Sequence, residues 1–207
     1  MTSITIIGTG TMASAIADVA SAAGADIQVL GTSEEKARVL AGRVAGTAGT
    51  VGDDVTGEIV VLAVPYPALA TIADTYGTRL DGRVVVDITN PLDFATFDSL
   101  VVAADGSAAA ELQVALPGAR IVKAFNTNFA GTLSSRELGG DPTTVLAAGD
   151  DESARQAVLD LATAAGLAAA DAGTLRRARE LEALGFLQLT LAASERITWN
   201  GGFALRR

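Results

Sequence analysis

The sequence predicts an α/β fold built around a mostly parallel sheet, and three observations predict it. Short β-branched runs, such as residues 3–8 (SITIIG) and 58–64 (EIVVLAV), read as strands buried on both faces. Between such runs, apolar residues recur three to four apart, as Met12, Ile16 and Val19 do, which is helical spacing. Strands and helices alternate along the chain, which implies βαβ units. Right-handed crossovers then bring the carboxyl ends of the strands to one edge, where ligands bind in such sheets.

In order, residues 3–8 form the first strand and 10–23 the first helix, which Gly24 ends. Residues 26–30 form a second strand, and 33–44 a second helix with Ser33 as its N-cap. Residues 46–51 make a short third strand. The segment 52–57 is too short and polar for a crossover helix, so this unit is abbreviated. The strand at 58–64 leads to Pro65 and a helix through Leu69, Ile72 and Ala73. Residues 83–88 form the next strand and 89–92 a turn. Residues 107–116 are helical, and 120–125 form another strand. The stretch 93–105 has no period and is either an active-site loop or a flexible connection. Beyond residue 141 a smaller pattern follows: strand-like 143–148, helical 151–165, strand-like 167–170, and a longest helix over 175–196. The expected organisation is a larger α/β domain over 1–140. A smaller C-terminal α/β region over 141–207 packs on it, closes the cleft and ends in the long helix.

The 207 residues are 49% apolar and carry a net charge of −9. That balance suits a globular chain and argues against nucleic acid as a partner. No apolar run is long enough to span a bilayer, and Met1 runs straight into a strand. The expectation is a cytoplasmic protein without membrane contact. Cysteine and histidine are both absent, which excludes thiolate chemistry, the usual Ser-His triads and most zinc sites. No metal site is expected.

Gly8-Thr9-Gly10-Thr11-Met12-Ala13 reads G-x-G-x-x-A, directly after a strand and before a helix, the context in which this pattern binds a dinucleotide pyrophosphate. It makes the sheet Rossmann-type. An NAD-binding chain would carry an acid at the end of the second strand for the ribose hydroxyl. Here that place reads Leu30-Gly31-Thr32-Ser33, with no acid before Glu34. Small hydroxyl residues at a helix start can accept a 2′-phosphate, and Lys36 and Arg38 lie one turn further, so the reading favours NADP(H). The alternative is that Thr32 and Ser33 only cap the helix.

Five segments together, GTGTMASAIA, AVPYPA (63–68), DITNPL (87–92), IVKAFNT (121–127) and DAGTLRRARELEAL (171–184), make the chain resemble the NADPH-dependent reductases of the deazaflavin coenzyme F420. The resemblance implies hydride transfer between NADP(H) and coenzyme F420 as co-substrate, with no catalytic side chain and a homodimeric assembly. By position, Gly8, Thr9, Gly10, Thr11 and Met12 would hold the pyrophosphate, and Thr32, Ser33 and Lys36 the adenosine phosphate. Ala63, Val64 and Pro65 would follow the path to the nicotinamide. Asn90, Pro91 and Leu92 would border the ring-stacking cleft, and Ala124, Phe125, Asn126 and Thr127 its opposite wall. The end of the long helix and Asn200-Gly201-Gly202 would close it. From the residues alone, Asn126 either holds the carboxamide or a neighbouring loop. Lys36 and Lys123 are the two lysines, and both fall in candidate binding segments. Arg176, Arg177 and Arg179 are either a solvated face paired with Glu180 and Glu182 or a docking patch for the deazaflavin's anionic tail. Two other readings remain: an NADPH-dependent reductase of another acceptor (flavin, quinone, ferric ion, imine or ketone), and a non-catalytic dinucleotide-binding redox sensor.

Overall fold

A computed structural model describes residues 2–206. The strands β1 (Ser3–Ile7), β2 (Asp26–Gly31), β3 (Thr47–Thr50), β4 (Ile59–Leu62), β5 (Val84–Asp87) and β6 (Arg120–Ala124) are mutually parallel. Their order across the sheet is β3-β2-β1-β4-β5-β6, the arrangement of a dinucleotide-binding sheet, with its switch point between β1 and β4. The long strands beyond residue 140 extend this same sheet. Strand β9 (Thr144–Gly149) joins β6 antiparallel, and β10 (Ala168–Gly173) follows parallel to β9, giving eight strands in one sheet. A two-stranded hairpin, β7 (Glu137–Leu138) with β8 (Asp141–Pro142), stands apart.

The pleat sends alternate side chains to opposite faces. Ile4, Ile6, Ile59, Val61, Val84, Val86 and Val122 meet α1 (Thr11–Ala22), α2 (Glu34–Arg43), α5 (Ala130–Ser135) and α6 (Glu152–Ala164). Ile7, Val60, Leu62, Val85 and Ile121 meet α3 (Ala68–Tyr76), α4 (Ala108–Ala115) and the start of α7 (Ala178–Ala193). Small side chains dominate the sheet-facing side of α1, Ala13, Ala17 and Ala20 among them, so this helix lies close on the sheet.

The expected missing crossover helix is indeed absent, and a polar network holds the coil that replaces it. Buried Gln28 accepts from the Thr5 hydroxyl at 2.7 Å and donates to the Asp54 carbonyl at 2.9 Å, while Thr5 accepts from the Gly57 amide. The Arg83 guanidinium donates to the Val55 and Gly57 carbonyls. The long helix is shorter than the periodicity predicts. Leu175–Arg177 is a turn of 3-10 helix, and the α-helix ends at Ala193. Two elements escaped the sequence reading, α5 and the β7–β8 hairpin, because six and two residues are too few to show a period. Among the described residues no helix is long and apolar enough to cross a membrane.

Candidate functional site

The chain turns sharply where β1 ends. Gly8 has φ +131°, and a Cβ built there would stand 2.1 Å from the Ala63 carbonyl oxygen. Only glycine allows β4 to approach this corner so closely. The Gly8 amide donates to Leu30 on β2, and the Ala63 amide to Ile7, so the corner is fixed between three strands at the switch point. Gly10 then caps α1 in extended conformation, and a Cβ there would meet nothing within 4 Å. The first turn of α1 has no acidic residue and no side-chain cap, so no side chain competes for its first amides. Thr9 packs its methyl over Gly31, Thr11 is exposed, and Met12 is half-buried against the core.

At the end of β2, Thr32 is exposed, and the Ser33 hydroxyl accepts from the Lys36 amide at 3.4 Å. The capping role read from sequence is therefore real, and it leaves the exposed Thr32 hydroxyl free for other work. Arg38 is tied to Glu34 at 2.6 Å, whereas the Lys36 side chain has no ionic partner among the described residues. Lys36 lines a recess of about 360 Å³ with Thr9, Ser14, Glu35 and Arg43. Arg43 is already engaged with Asp18 and Ser14. Lys36 is thus the cation at this corner with spare capacity.

At the end of β4, Ala63 and Val64 are half-buried and Pro65 exposed. The next residue, Tyr66, donates its hydroxyl to Glu111 at 2.6 Å. Burial and that carboxylate push the phenol up to about 12, so it stays a donor at any physiological pH.

The ends of β5 and β6 lie beneath α7. The Asn90 amide donates to the Asn126 carbonyl, and the Asn126 amide donates to Asn90 Oδ1 (2.8 Å) and to the Leu181 carbonyl on α7 (2.9 Å). One loop further, Gln188 of α7 donates to the Thr127 carbonyl at 3.1 Å. The structure thus brings Asn90, Asn126 and Thr127 together, with α7 as their common cover. Of the two readings of Asn126, the neighbouring-loop one describes its amide nitrogen. Its Oδ1 is buried and unpartnered, as is the Thr89 hydroxyl. Pro91 and Leu92 are buried, with Leu92 bridged to Leu100, so the aperiodic stretch is a closed loop. Ala124 and Phe125 are fully buried and their side chains face the core with α1 and α5. Only their backbone reaches the strand edge, where Phe125 takes the left-handed conformation, φ +60°.

One cluster was missed by sequence reasoning. Lys123, Asp87 and Glu182 are all fully buried. The ammonium lies 2.9 Å from Asp87 Oδ2 and 2.8 Å from Glu182 Oε1, and donates also to the Thr89 carbonyl. The Glu182 carboxylate accepts from the Ala108 and Ala109 amides that open α4. Lys123 is therefore not a ligand-facing cation, and Glu182 does not pair with the arginines. Arg177 instead meets Glu180 at 3.4 Å. The signal was present in the sequence: a lysine inside IVKAF and an aspartate closing VVVD, each in an apolar strand.

These residues fit a dinucleotide. The open Gly10 corner, the uncapped amides of α1 and the unpaired Lys36 suit two anionic groups in line along the strand edge. No group of three or more His, Cys, Asp or Glu side chains able to hold a metal exists among the described residues.

Comparisons agree with this geometry. Residues 3–91 match the family model described as NADP oxidoreductase, coenzyme F420-dependent. The chain is 33% identical to the F420-dependent NADP reductase of Methanocaldococcus jannaschii over 132 residues, 62% of this chain and 59% of that protein's length. It is 32% identical to the metalloreductase STEAP3 of Rattus norvegicus over 130 residues, 61% of this chain and 25% of that protein. Among solved structures, an F420-dependent NADP-reductase candidate from Arthrobacter sp. FB24 superposes with TM-score 0.85 at 25% identity over 99% of both chains. The resemblance read from the sequence is thereby borne out over residues 3–91: a Rossmann-type chain whose N-terminal portion matches the coenzyme F420-dependent NADP oxidoreductase family.

Proposed function

We propose that the protein is an oxidoreductase that moves a hydride between NADP(H) and the deazaflavin coenzyme F420. The observation that carries the nucleotide half is the corner at Gly8 and Gly10, closed to side chains on the β4 side and open on the ligand side. The pyrophosphate would lie against the loop Gly8-Thr9-Gly10 and the first α1 amides, at Thr11 and Met12, and Lys36 with Thr32 would meet the 2′-phosphate. The nicotinamide would follow Ala63, Val64 and Pro65 toward the edge formed by Asn90, Asn126 and α7. Bound there, NADPH would supply a hydride to a second planar ring. The chain's task is then to hold two rings close and parallel and to exclude water. That task needs no imidazole or thiol, and the chain has neither.

The acceptor is inferred from the similarity to F420-dependent reductases. Mixing the protein with NADPH and oxidised coenzyme F420 and following the deazaflavin absorbance tests it: decay dependent on both is expected. NADPH oxidation with ferric chelates or free flavin but not with the deazaflavin would favour another acceptor, a reading supported by the metalloreductase similarity. Tight NADPH binding with no turnover would make the protein a sensor. A homodimer is part of the proposal. The exposed Leu187 on α7 and the exposed Trp199 and Leu205 beyond it support it, and light scattering would test it.

A further inference from the structure

Helix α7 buries Ala178, Leu181, Glu182, Gly185, Gln188 and Ala192. Five of these six side chains are polar or no larger than a methyl, so the buried apolar packing specifies the position of the helix along its axis only weakly. A slip of one turn, about 5.4 Å, would misplace everything the helix covers. Besides the close fit of Gly185 on Asn90, what resists such a slip is polar. Glu182 meets three donors at once, the Lys123 ammonium and the two α4 amides, and has no acceptor among its hydrogen-bond partners. Asp87 completes the shell of Lys123, and its other oxygen accepts from the Thr89 amide, fixing the turn that leads into Asn90. Leu181, adjacent to Glu182, offers the carbonyl that Asn126 grips.

We propose that Lys123, Asp87 and Glu182 form a positioning latch that sets the register of α7 over the ends of β5 and β6, and with it the geometry of the acceptor side of the cleft. Setting register is the best-attested use of buried charges, which add little to stability when apolar side chains could replace them. The meaning given to that side of the cleft rests on the hydride-transfer reading; the latch itself does not. None of the three residues touches the glycine corner, so their effect is confined to one half of the site. They act through α7 and are positioning residues.

Two variants test this. In Glu182→Gln an amide nitrogen must face one of the three donors. In the triple variant Asp87→Asn, Lys123→Met, Glu182→Leu all three charges are gone. Hydrogen–deuterium exchange of the free protein should show faster exchange in Glu182→Gln confined to α7 and the first turn of α4. The NADPH Kd should change far less than the acceptor KM, because the glycine corner and Lys36, which would hold its phosphates, do not touch the cluster. The KM for coenzyme F420 should rise about tenfold or more in both variants, the loss of one charged hydrogen bond. In the triple variant it should stay raised even where the melting temperature is restored. A native acceptor KM in the folded triple variant would reduce the cluster to a stabilising feature and overturn the proposal. Parallel weakening of NADPH binding, or exchange that is unchanged or global in Glu182→Gln, would overturn it too. Should the native protein reduce no deazaflavin, the hydride-transfer reading falls, and the exchange pattern alone upholds or overturns the latch.

Discussion

Gly185 of α7 lies against Asn90 so closely that a Cβ on it would stand 2.4 Å from Asn90 Oδ1 and 2.9 Å from the rest of that amide. Asn90 cannot simply swing aside, because its amide makes both bonds to Asn126 that close the edge of β5 on β6. The contact therefore couples a helix position to the strand ends beneath it. Gly185→Ala would gain about 1 kcal/mol of helix propensity. Against that, overpacking costs about 1–3 kcal/mol and the Asn90–Asn126 pair is disturbed. Lower thermal stability is expected, together with a raised KM for the acceptor. A variant that melts higher than native would show that the amide yields freely.

The two glycines of the fingerprint should separate folding from binding. Gly10→Val places a side chain in open space, so the variant should melt close to native yet lose NADPH binding in a calorimetric titration, because the methyls occupy the pyrophosphate position. Gly8→Ala meets the Ala63 carbonyl at 2.1 Å with a positive φ, and the strained conformation alone costs about 1–3 kcal/mol. Its loss should appear first as instability. Retained NADPH affinity in Gly10→Val would mean that the dinucleotide lies elsewhere.

What the sequence made legible follows a physical line. Regular elements with several turns or an unbroken β-branched run, such as α1, β4 and α6, reveal themselves through period, and the glycine corner does so because its residue types are forced by geometry. Contacts between distant segments carry no such pattern. Nothing local marks Glu182 as the partner of Lys123, 59 residues earlier in the chain, and the nearby arginines offered a plausible alternative. The inward turn of Phe125 is equally hidden, because it depends on a left-handed φ at the end of β6 rather than on strand alternation. The antiparallel entry of β9 likewise needs a long return past α5 that short elements conceal.

Lys36 should decide between the two nicotinamide dinucleotides. Its side chain is unpaired beside Thr9 at the recess, whereas Arg38 is engaged by Glu34. A charged hydrogen bond to a 2′-phosphate is worth about 1.5–3 kcal/mol. Lys36→Met should therefore weaken NADPH binding by about tenfold or more and leave NADH binding nearly as it was. The ratio of the two dissociation constants, measured by fluorescence titration, checks this. An unchanged ratio would place the 2′-phosphate away from α2.

The buried cluster also fixes a sign for pH dependence. Burial pushes the Glu182 carboxyl above its ordinary value of 4.5, with the Asp87 charge on β5 adding to it; the Lys123 ammonium on β6 and the Ala108 amide on α4 oppose it. A raised folded-state pKa means that the folded chain holds this proton after the unfolded chain has released it. The contribution of the group to stability is then greatest below about 4.5 and falls as pH rises from there to the folded pKa. Glu182→Gln cannot titrate at this position. The difference in urea midpoint, native minus Glu182→Gln, should therefore shrink or become more negative between acid and neutral pH. A difference that grows with pH would show that Lys123 and the α4 amides outweigh burial, holding the carboxylate below its ordinary range.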